Sequence, residues 1–540
     1  MVDQANINVS PLELAYVQSP YDYAEIVSID TSEAIKVPGV VSVITADDIP
    51  GDNNTLGMQG ACELLAEKFV NYQGQILAVV VAEDFKIANE AVSMIAVEYK
   101  PLPPIQGLLD AVNFDSSHHQ FKECNSTDNE FNDEGLDFID TDHWFSENAS
   151  TLDLGSVTAE PYKEGGVLIR TAYFDVNNIT SSLANLLSLK KDKIFIDSPN
   201  GDCFPKFTQL IYNQILGIAA LGSLITKKKI QVVSRTFFNG IKVLNCGEVK
   251  IQSRVGFDGE GKIISFDSNL KLDCGSELGA SDCIFSGFFK VLKKLGEGVR
   301  LTANFDHCKT NLIPNMATLQ EGVWLGLMVL DDVINKIAVK ISEPVNEVRK
   351  KNMATGKPYR RLEKIYSKRL KEVNAFNDKN ESIKKSVYLF NVDLTEKLDD
   401  KKGEGINGAA VAEVEVNIIS ETLKLCYSNF IQEYNWTGLY NQERSISITS
   451  FLQGLDRLSV TQTSNSERVR NNLFPDDLFC DVISINDESS TTPRTLSYCL
   501  SLCVYFAILE VIRKFDSGLP LNISFDILNT SNNFKQKHQE

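Results

Sequence analysis

A chain of 540 residues exceeds the usual size of one hydrophobic core, so roughly three or four domains of ~150 residues are expected. The net charge of −19 argues against nucleic acid or an anionic membrane surface as a partner, and no run approaches the ~18 consecutive apolar residues of a membrane span. Hydrophobic residues at 43% and charged residues at 23% are ordinary for a soluble globular protein. The eleven cysteines (Cys62, Cys124, Cys203, Cys246, Cys274, Cys283, Cys308, Cys426, Cys480, Cys499 and Cys503) show no two-residue pairing, which reads as reduced thiols rather than a disulfide framework. The start Met1-Val2-Asp3-Gln4 leads into no signal-peptide core, so cytoplasm is the expected compartment.

In chain order, residues 12 to 108 alternate strand-like and helix-like stretches: Leu12–Val17, Ala24–Asp30, Val40–Ile44, the buried run Ile76–Ala82, a helix over Phe85–Ile95 and the strand Ile95–Tyr99. Residues 117 to 150 are acidic and rich in Asn and Ser, and are read as a linker or exposed crossover. Within them His118, His119, Cys124 and His143 raise a metal reading, but zinc sites use tighter paired spacing and a solvated loop is favoured. Strands are expected at Ile194–Ile196 and Ile230–Val233, with a glycine-bearing turn and a helix between them. Glu248–Phe266 alternates faces around Asp258-Gly259 and reads as a β-hairpin. A buried helix follows over 323–341, another starts at Pro344, and Lys357–Asn377 is a charged amphipathic helix. The remaining elements are a strand at Val411–Val416 and an apolar helix at Leu496–Phe515, with Cys499 and Cys503 as buried packing. The basic runs Lys227–Lys229 and Arg349–Lys351 are read as solvated faces.

Several stretches resemble one known family in order. Ser28–Val41, Thr45–Gly51, Gly74-Gln75, Ala78–Glu83 and Val97–Pro104 look like the hammerhead domain of the xanthine dehydrogenase and aldehyde oxidase family. Cys308–Asn315 and Pro344–Met353 resemble the flanks of that family's loop beside molybdenum. The resemblance implies a dithiolene molybdenum cofactor held by glycine-rich backbone, and a glutamate that deprotonates the metal-bound hydroxyl.

The residues at the implied positions depart from the family's pattern. Where the first glycine loop is expected stands Gly201-Asp202-Cys203-Phe204-Pro205-Lys206-Phe207, in which Pro205 lacks a backbone donor. The second loop reads Ala317–Leu325, with Leu319 at the arginine position, which deletes five donors and a charge. Of its glycines Gly322 remains, beside Gln320 and Val323, and its one acidic residue, Glu321, is read as a surface carboxylate. No Gly-Gln-Gly turn occurs between Met353 and Val411, a stretch shorter than the family's. At the catalytic glutamate an ungapped alignment places Thr495, whereas a gap brings in Glu488; a threonine is no base near neutral pH. The candidate positions are therefore Glu488 or Thr495 for catalysis, and Gly201, Phe204 and Gly322 for cofactor contact. No metal ligand is assigned.

The expected fold class is α+β, a hammerhead-type α/β domain followed by partial molybdopterin-binding α+β domains. The expected divisions are 1–110 hammerhead-like, 111–160 acidic linker, 161–376 first molybdenum-binding-like domain, 377–410 charged linker replacing a deleted region, and 411–530 remnant of a second such domain. The resemblance implies a molybdenum–molybdopterin cofactor, but the altered loops lead to the expectation that it is not bound. Nothing here resembles a 2Fe-2S or FAD domain. The expected function is a degenerate, inactive relative of molybdenum hydroxylases kept as a scaffold or interaction protein, as a homodimer or as a heterodimer with an intact paralogue. The alternative is an oxidoreductase hydroxylating aldehydes or N-heterocycles.

Overall fold

The computed structural model describes residues 10–54, 63–113, 117–125, 133–149, 156–171, 176–197, 206–233, 244–276, 282–296, 298–312, 319–393, 407–417, 422–434, 478–484 and 499–514. The first unit contains β1 (Glu13–Gln18), β2 (Ala24–Asp30), β3 (Val40–Thr45), β4 (Phe69–Val70), β5 (Ile76–Ala82), α1 (Phe85–Val92) and β6 (Ala96–Pro101). All seven residues of β5 are buried, which is why Ile76–Ala82 reads as an unbroken apolar run: it lies centrally in the sheet β1-β5-β3. Strands β4, β2 and β6 form a second small sheet. Asp84 caps α1 by accepting from the Ile87 amide at 2.8 Å.

After α2 (Leu108–Asn113) come β7 (Ser117–Asn125), β8 (Asp137–Ala149), β9 (Ser156–Tyr162), β10 (Gly166–Arg170), α3 (Val176–Leu186), β11 (Ile194–Asp197), α4 (Lys206–Thr226) and β12 (Ile230–Val233). The expected strands at 194 and 230 are present, in a sheet ordered β11-β10-β9-β12. Leu12 joins this sheet to the first unit: its amide donates to the Lys229 carbonyl and its carbonyl accepts from the Gln231 amide. Leu14, Ile44 and Val79 consequently share one core with Val157, Ile169 and Ile218.

The described residues of 111–160 are largely strand rather than linker. Strand β8 pairs with the next strand, β13 (Leu244–Phe257), from Asp137 to Ala149, and β7 pairs with β15 (Arg300–Cys308). With β14 (Ile263–Asp273) they form a five-stranded sheet ordered β7-β15-β14-β13-β8. The acidic composition hid a period of two. Asp140 and Asp142 face solvent while Ile139, Thr141 and Phe145 are buried on the opposite side. The same order separates His143 on β8 from His118, His119 and Cys124 on β7 by four inter-strand steps, about 19 Å at ~4.8 Å each. The hairpin expected over Glu248–Phe266 is β13 and β14, joined through residues 258–262.

The rest comprises α5 (Asp282–Leu292), α6 (Leu319–Ile341), α7 (Val345–Asn352), α8 (Lys357–Asn377), β16 (Ile383–Asp393), β17 (Asn407–Asn417), β18 (Thr422–Tyr434), β19 (Leu478–Ser484) and α9 (Leu502–Arg513). Residues 383–393 of the expected charged linker are strand β16, whose register with β17 runs unbroken from Ile383–Asn417 to Asp393–Asn407 in the sheet β16-β17-β18-β19. Here Lys384 and Lys385 stand at the half-buried start of a strand that is buried from Ser386 to Val392, so the opening charges concealed it. Helix α8 matches its expected bounds: Tyr359, Leu362 and Val373 are buried with Ile365, Tyr366 and Leu370 beside them, an i, i+3/i+4 stripe against one face of this sheet. Cys499 and Cys503 are fully buried, the latter donating to the Tyr388 and Ala410 carbonyls at 3.2 Å.

One core runs from the five-stranded sheet through α5 and α6 to α9 and the other face of the four-stranded sheet. Helix α6 is buried from Gly322 to Ala338, yet it carries Asp331, Asp332, Asn335 and Lys336. Their partners account for this. Arg349, read from sequence as solvated, is 0% exposed and grips Asp331 through Nε to Oδ1 at 3.0 Å and Nη2 to both oxygens at 2.9 and 3.1 Å. Its remaining donors reach Asn346 Oδ1, the Leu389 carbonyl and the Tyr388 hydroxyl, which itself donates to Asp331 Oδ2 at 2.7 Å. Lys336 pairs with Asp332 at 2.8 Å, with His143 Nε2 3.4 Å from the same oxygen.

Burying such a pair gains little net free energy, but removing one partner strands a charge and costs about 3–5 kcal/mol. Arg349→Ala is therefore expected to lower unfolding free energy in urea titrations by that amount. Lys350→Ala one position later, where the ammonium is solvated beside Glu347 and Glu363, should change it by less than ~1 kcal/mol.

Candidate functional site

Strands β14 and β15 are parallel, with Asp273 beside Cys308, so both chain directions deliver their carboxyl ends to one edge of the sheet. Loops leaving such paired ends are where α/β sheets place ligand-handling residues. Here the exits are laced together. The Cys274 amide donates to the Cys308 carbonyl at 2.8 Å, Thr310 N to the Gly275 carbonyl and Ser276 N to the Leu312 carbonyl, each at 2.9 Å. Asp273, 0% exposed, organises the turn by accepting from Gly275 N at 2.9 Å and Thr310 Oγ1 at 2.7 Å. Burial lifts its carboxyl to about 6 against the lowering effect of those hydrogen bonds.

Next to it the Cys274 thiol lies 4.0 Å from His307 Nδ1, and the His307 ring stands edge-on to Phe285 at 4.6 Å. Burial pushes the Cys308 thiol up to about 11, so it is a protonated, unreactive packing group. Asn311 fastens this edge to the first unit: it exchanges backbone and side-chain hydrogen bonds with Ile105 at 2.8 Å each and donates to the Asn71 carbonyl at 3.2 Å. The segment from Cys308 to Asn311 is thus a clasp, built to hold a loop in place. Asp273 was missed in the sequence; its signal was an acid closing the alternating strand Ile263–Leu272 immediately before Cys274-Gly275.

Of the sequence-derived candidates, Gly201, Phe204, Glu488 and Thr495 lie outside the described residues, as does the start of the second loop, 313–318. Gly322 is described, and it sits in the first turn of α6. A Cβ there would run into the Ile284 carbonyl of α5, with the Gly287 Cα 2.9 Å away. One turn on, a Cβ at Gly326 would stand 2.9 Å from Val291 Cβ and 3.0 Å from the Phe288 carbonyl. The two glycines form a smooth strip against which α5 packs backbone to backbone, so what Gly322 touches is a helix. Helix α6 also begins at Leu319, earlier than the expected 323, which takes Val323, Trp324 and Leu325 into hydrogen-bonded helix and leaves donors only on its first turn. Among the described residues no group of three His, Cys, Asp or Glu side chains is arranged to hold a metal ion.

Two family models match the chain. One, described as aldehyde oxidase and xanthine dehydrogenase, a/b hammerhead domain, covers residues 7–103. The other, described as molybdopterin cofactor-binding domain, covers residues 140–353. Similar proteins include indole-3-acetaldehyde oxidase of Arabidopsis thaliana, 26% identical over 63% of this chain and 27% of that protein. Aldehyde oxidase 2 of Rattus norvegicus is 26% identical over 75% of this chain and 30% of that protein. The chain thus spans under a third of the length of these relatives. Among solved structures, the aldehyde oxidoreductase of Desulfovibrio gigas superposes with a TM-score of 0.78 at 14% identity, covering 97% of this chain and 78% of that one. Quinoline 2-oxidoreductase of Pseudomonas putida 86 gives 0.76 at 12% identity, covering 97% and 95%. The hammerhead and α+β architecture expected from sequence is the observed fold.

Two outcomes are expected from the site geometry. Gly322→Ala forces α5 and α6 apart and should lower stability by about 1–3 kcal/mol in denaturant unfolding, with Gly326→Ala showing a smaller loss. For Asp273 the folded pKa of about 6 lies above the unfolded value near 3.9, so the folded state holds the extra proton between them. Its contribution therefore turns unfavourable as pH rises from about 4 to 6 and stays so above it, worth on the order of 2–3 kcal/mol at most. Asp273→Asn is expected to flatten stability against pH in that window, so that its stability measured against the wild type is greater at pH 7.5 than at pH 4.

Proposed function

We infer that this chain, which belongs to the xanthine dehydrogenase and aldehyde oxidase family of molybdenum hydroxylases, has kept the family's scaffold without its chemistry and acts as a non-catalytic scaffold or interaction protein. The observation that carries this reading is the state of the second loop. Its surviving glycine is consumed by contact with Ile284, its arginine position is Leu319, and its later residues are wound into α6. An anionic pterin cofactor needs backbone donors and cationic side chains at close range. At the described ends of β14 and β15 the buried ionisable group is instead the carboxyl of Asp273.

The described residues do not fit that group, so no catalytic step is derived through it. The sequence supports the same reading where Pro205 removes a donor and Thr495 or Glu488 replaces a positioned base. Residues 354–410 contain no Gly-Gln-Gly turn either. A protein of this kind works through surfaces, and a homodimer, or a heterodimer with an intact paralogue, is the assembly we propose for it, in the cytoplasm.

A second reading rests on the match of residues 140–353 to the molybdopterin cofactor-binding domain: a rearranged backbone holds the cofactor, and Glu488 acts as base toward aldehydes or N-heterocycles. Metal analysis separates the two. The purified full chain from a host that makes the cofactor is expected to contain well under 0.1 molybdenum per chain, roughly, and to reduce no artificial acceptor with aldehyde. About one molybdenum per chain, with turnover abolished by Glu488→Gln, would establish the second reading instead.

A further inference from the structure

The four-stranded sheet carries a polar corner. Asn391 on β16, Asn407 on β17 and Glu433 on β18 are 1%, 9% and 8% exposed. Asn391 Oδ1, Asn407 Oδ1 and Glu433 Oε1 are each buried without a hydrogen-bond partner. They share a face and an end of the sheet. Asn407 stands directly opposite Glu433 and opposite Asp393, which places Asn391, two residues before Asp393, diagonally across from Asn407. That face is the one α8 covers, since Val387, Leu389, Ala409, Val411 and Ile431 on the same alternation pack on Tyr359 and Leu362.

The corner is held rigidly at the start of α8. Asn391 Nδ2 donates to the Ala354 carbonyl at 3.0 Å, which leaves its oxygen as the free end of the amide. Gly356 is the N-cap of α8, without a side-chain cap, and any Cβ there would collide with the Asn407 side chain, so the chain leading into the helix is pressed onto these residues. Three buried acceptor oxygens that receive no hydrogen bond lack what a folded interior normally supplies.

We propose that the corner formed by Asn391, Asn407 and Glu433 between the sheet β16-β17-β18 and the start of α8 is a binding site for a hard divalent cation, calcium being the best fit. Two carboxamide oxygens and one carboxylate are the ligand types that calcium takes, at about 2.3–2.6 Å, in irregular and expandable geometry. No sulfur or imidazole stands among the three, which disfavours zinc and copper. The positive end of α8 works against a cation, so a weak site with Kd of about 10⁻⁴–10⁻³ M is expected. Such a site would clamp the first turn of α8 onto three strands and make the stability of this domain depend on calcium.

Calorimetric titration of the full, chelator-treated chain with calcium chloride, beside thermal unfolding in the same solutions, tests this. Saturable binding with a rise in the unfolding midpoint is expected, with magnesium binding more weakly. Glu433→Gln keeps the shape and removes the charge, and should weaken calcium binding by roughly tenfold or more; Asn407→Asp adds a charge and should tighten it by a similar factor. If Glu433→Gln does not fold, the Asn407→Asp comparison alone decides. The absence of saturable binding in the wild type would overturn the proposal and leave ordered water as the partner of these oxygens. Equal affinity in the wild type and Asn407→Asp would overturn it as well.

Discussion

The ion pair between Arg349 and Asp331 is the constraint on which the rest of this molecule turns. It lies where three elements meet: α6, which forms the spine of the large core, α7, which supplies the arginine, and β16, which contributes Tyr388 and the Leu389 carbonyl. A guanidinium with all its directions satisfied can be fully buried; one left short cannot. The pair therefore has a single register, and it sets how the five-stranded and four-stranded sheets face one another across α6. An apolar replacement of similar volume would fill the space without that directional demand.

The surviving parts of the family pattern are those that make the scaffold. Cys308–Asn311 laces strand ends and anchors Ile105 and Asn71, while Val348, Arg349, Asn352 and Met353 are buried at the end of the large core. Asn352 shows why such positions are held: its side chain accepts from Ile263 N at 2.7 Å and donates to the Gly261 carbonyl at 2.8 Å, closing the β13–β14 turn. Gly322 and Gly326 belong to the same set through their contact with α5. These contacts hold the fold through atoms separate from those the proposed function concerns.

Much of the fold was legible in the residues. The uniform run Ile76–Ala82, the hairpin around Asp258-Gly259 and the amphipathic stripe of Lys357–Asn377 each carried a local periodicity that matched its element. Residues 117–149 and 383–393 were not legible in the same way. Their charges were counted as composition, whereas in β8 alternate residues face water and carry the acids without weakening the buried side, and in β16 the charges stand only at its first residues. Of the candidate site, Gly322 could be located and given a physical role, and Asp273 was invisible until β14 and β15 were seen to end side by side.

The sequence by itself determined ancestry and the α+β class, and it placed Leu319 rather than an arginine at one implied position, because these are statements about which atoms each residue carries. Only the tertiary structure decided what the remaining residues do. Whether an arginine is solvated or fully buried, whether a glycine meets a cofactor or a neighbouring helix, and whether three distant polar residues share one corner all depend on long-range pairing. Burial and register arise between segments far apart in the chain, and no local window of residues contains them.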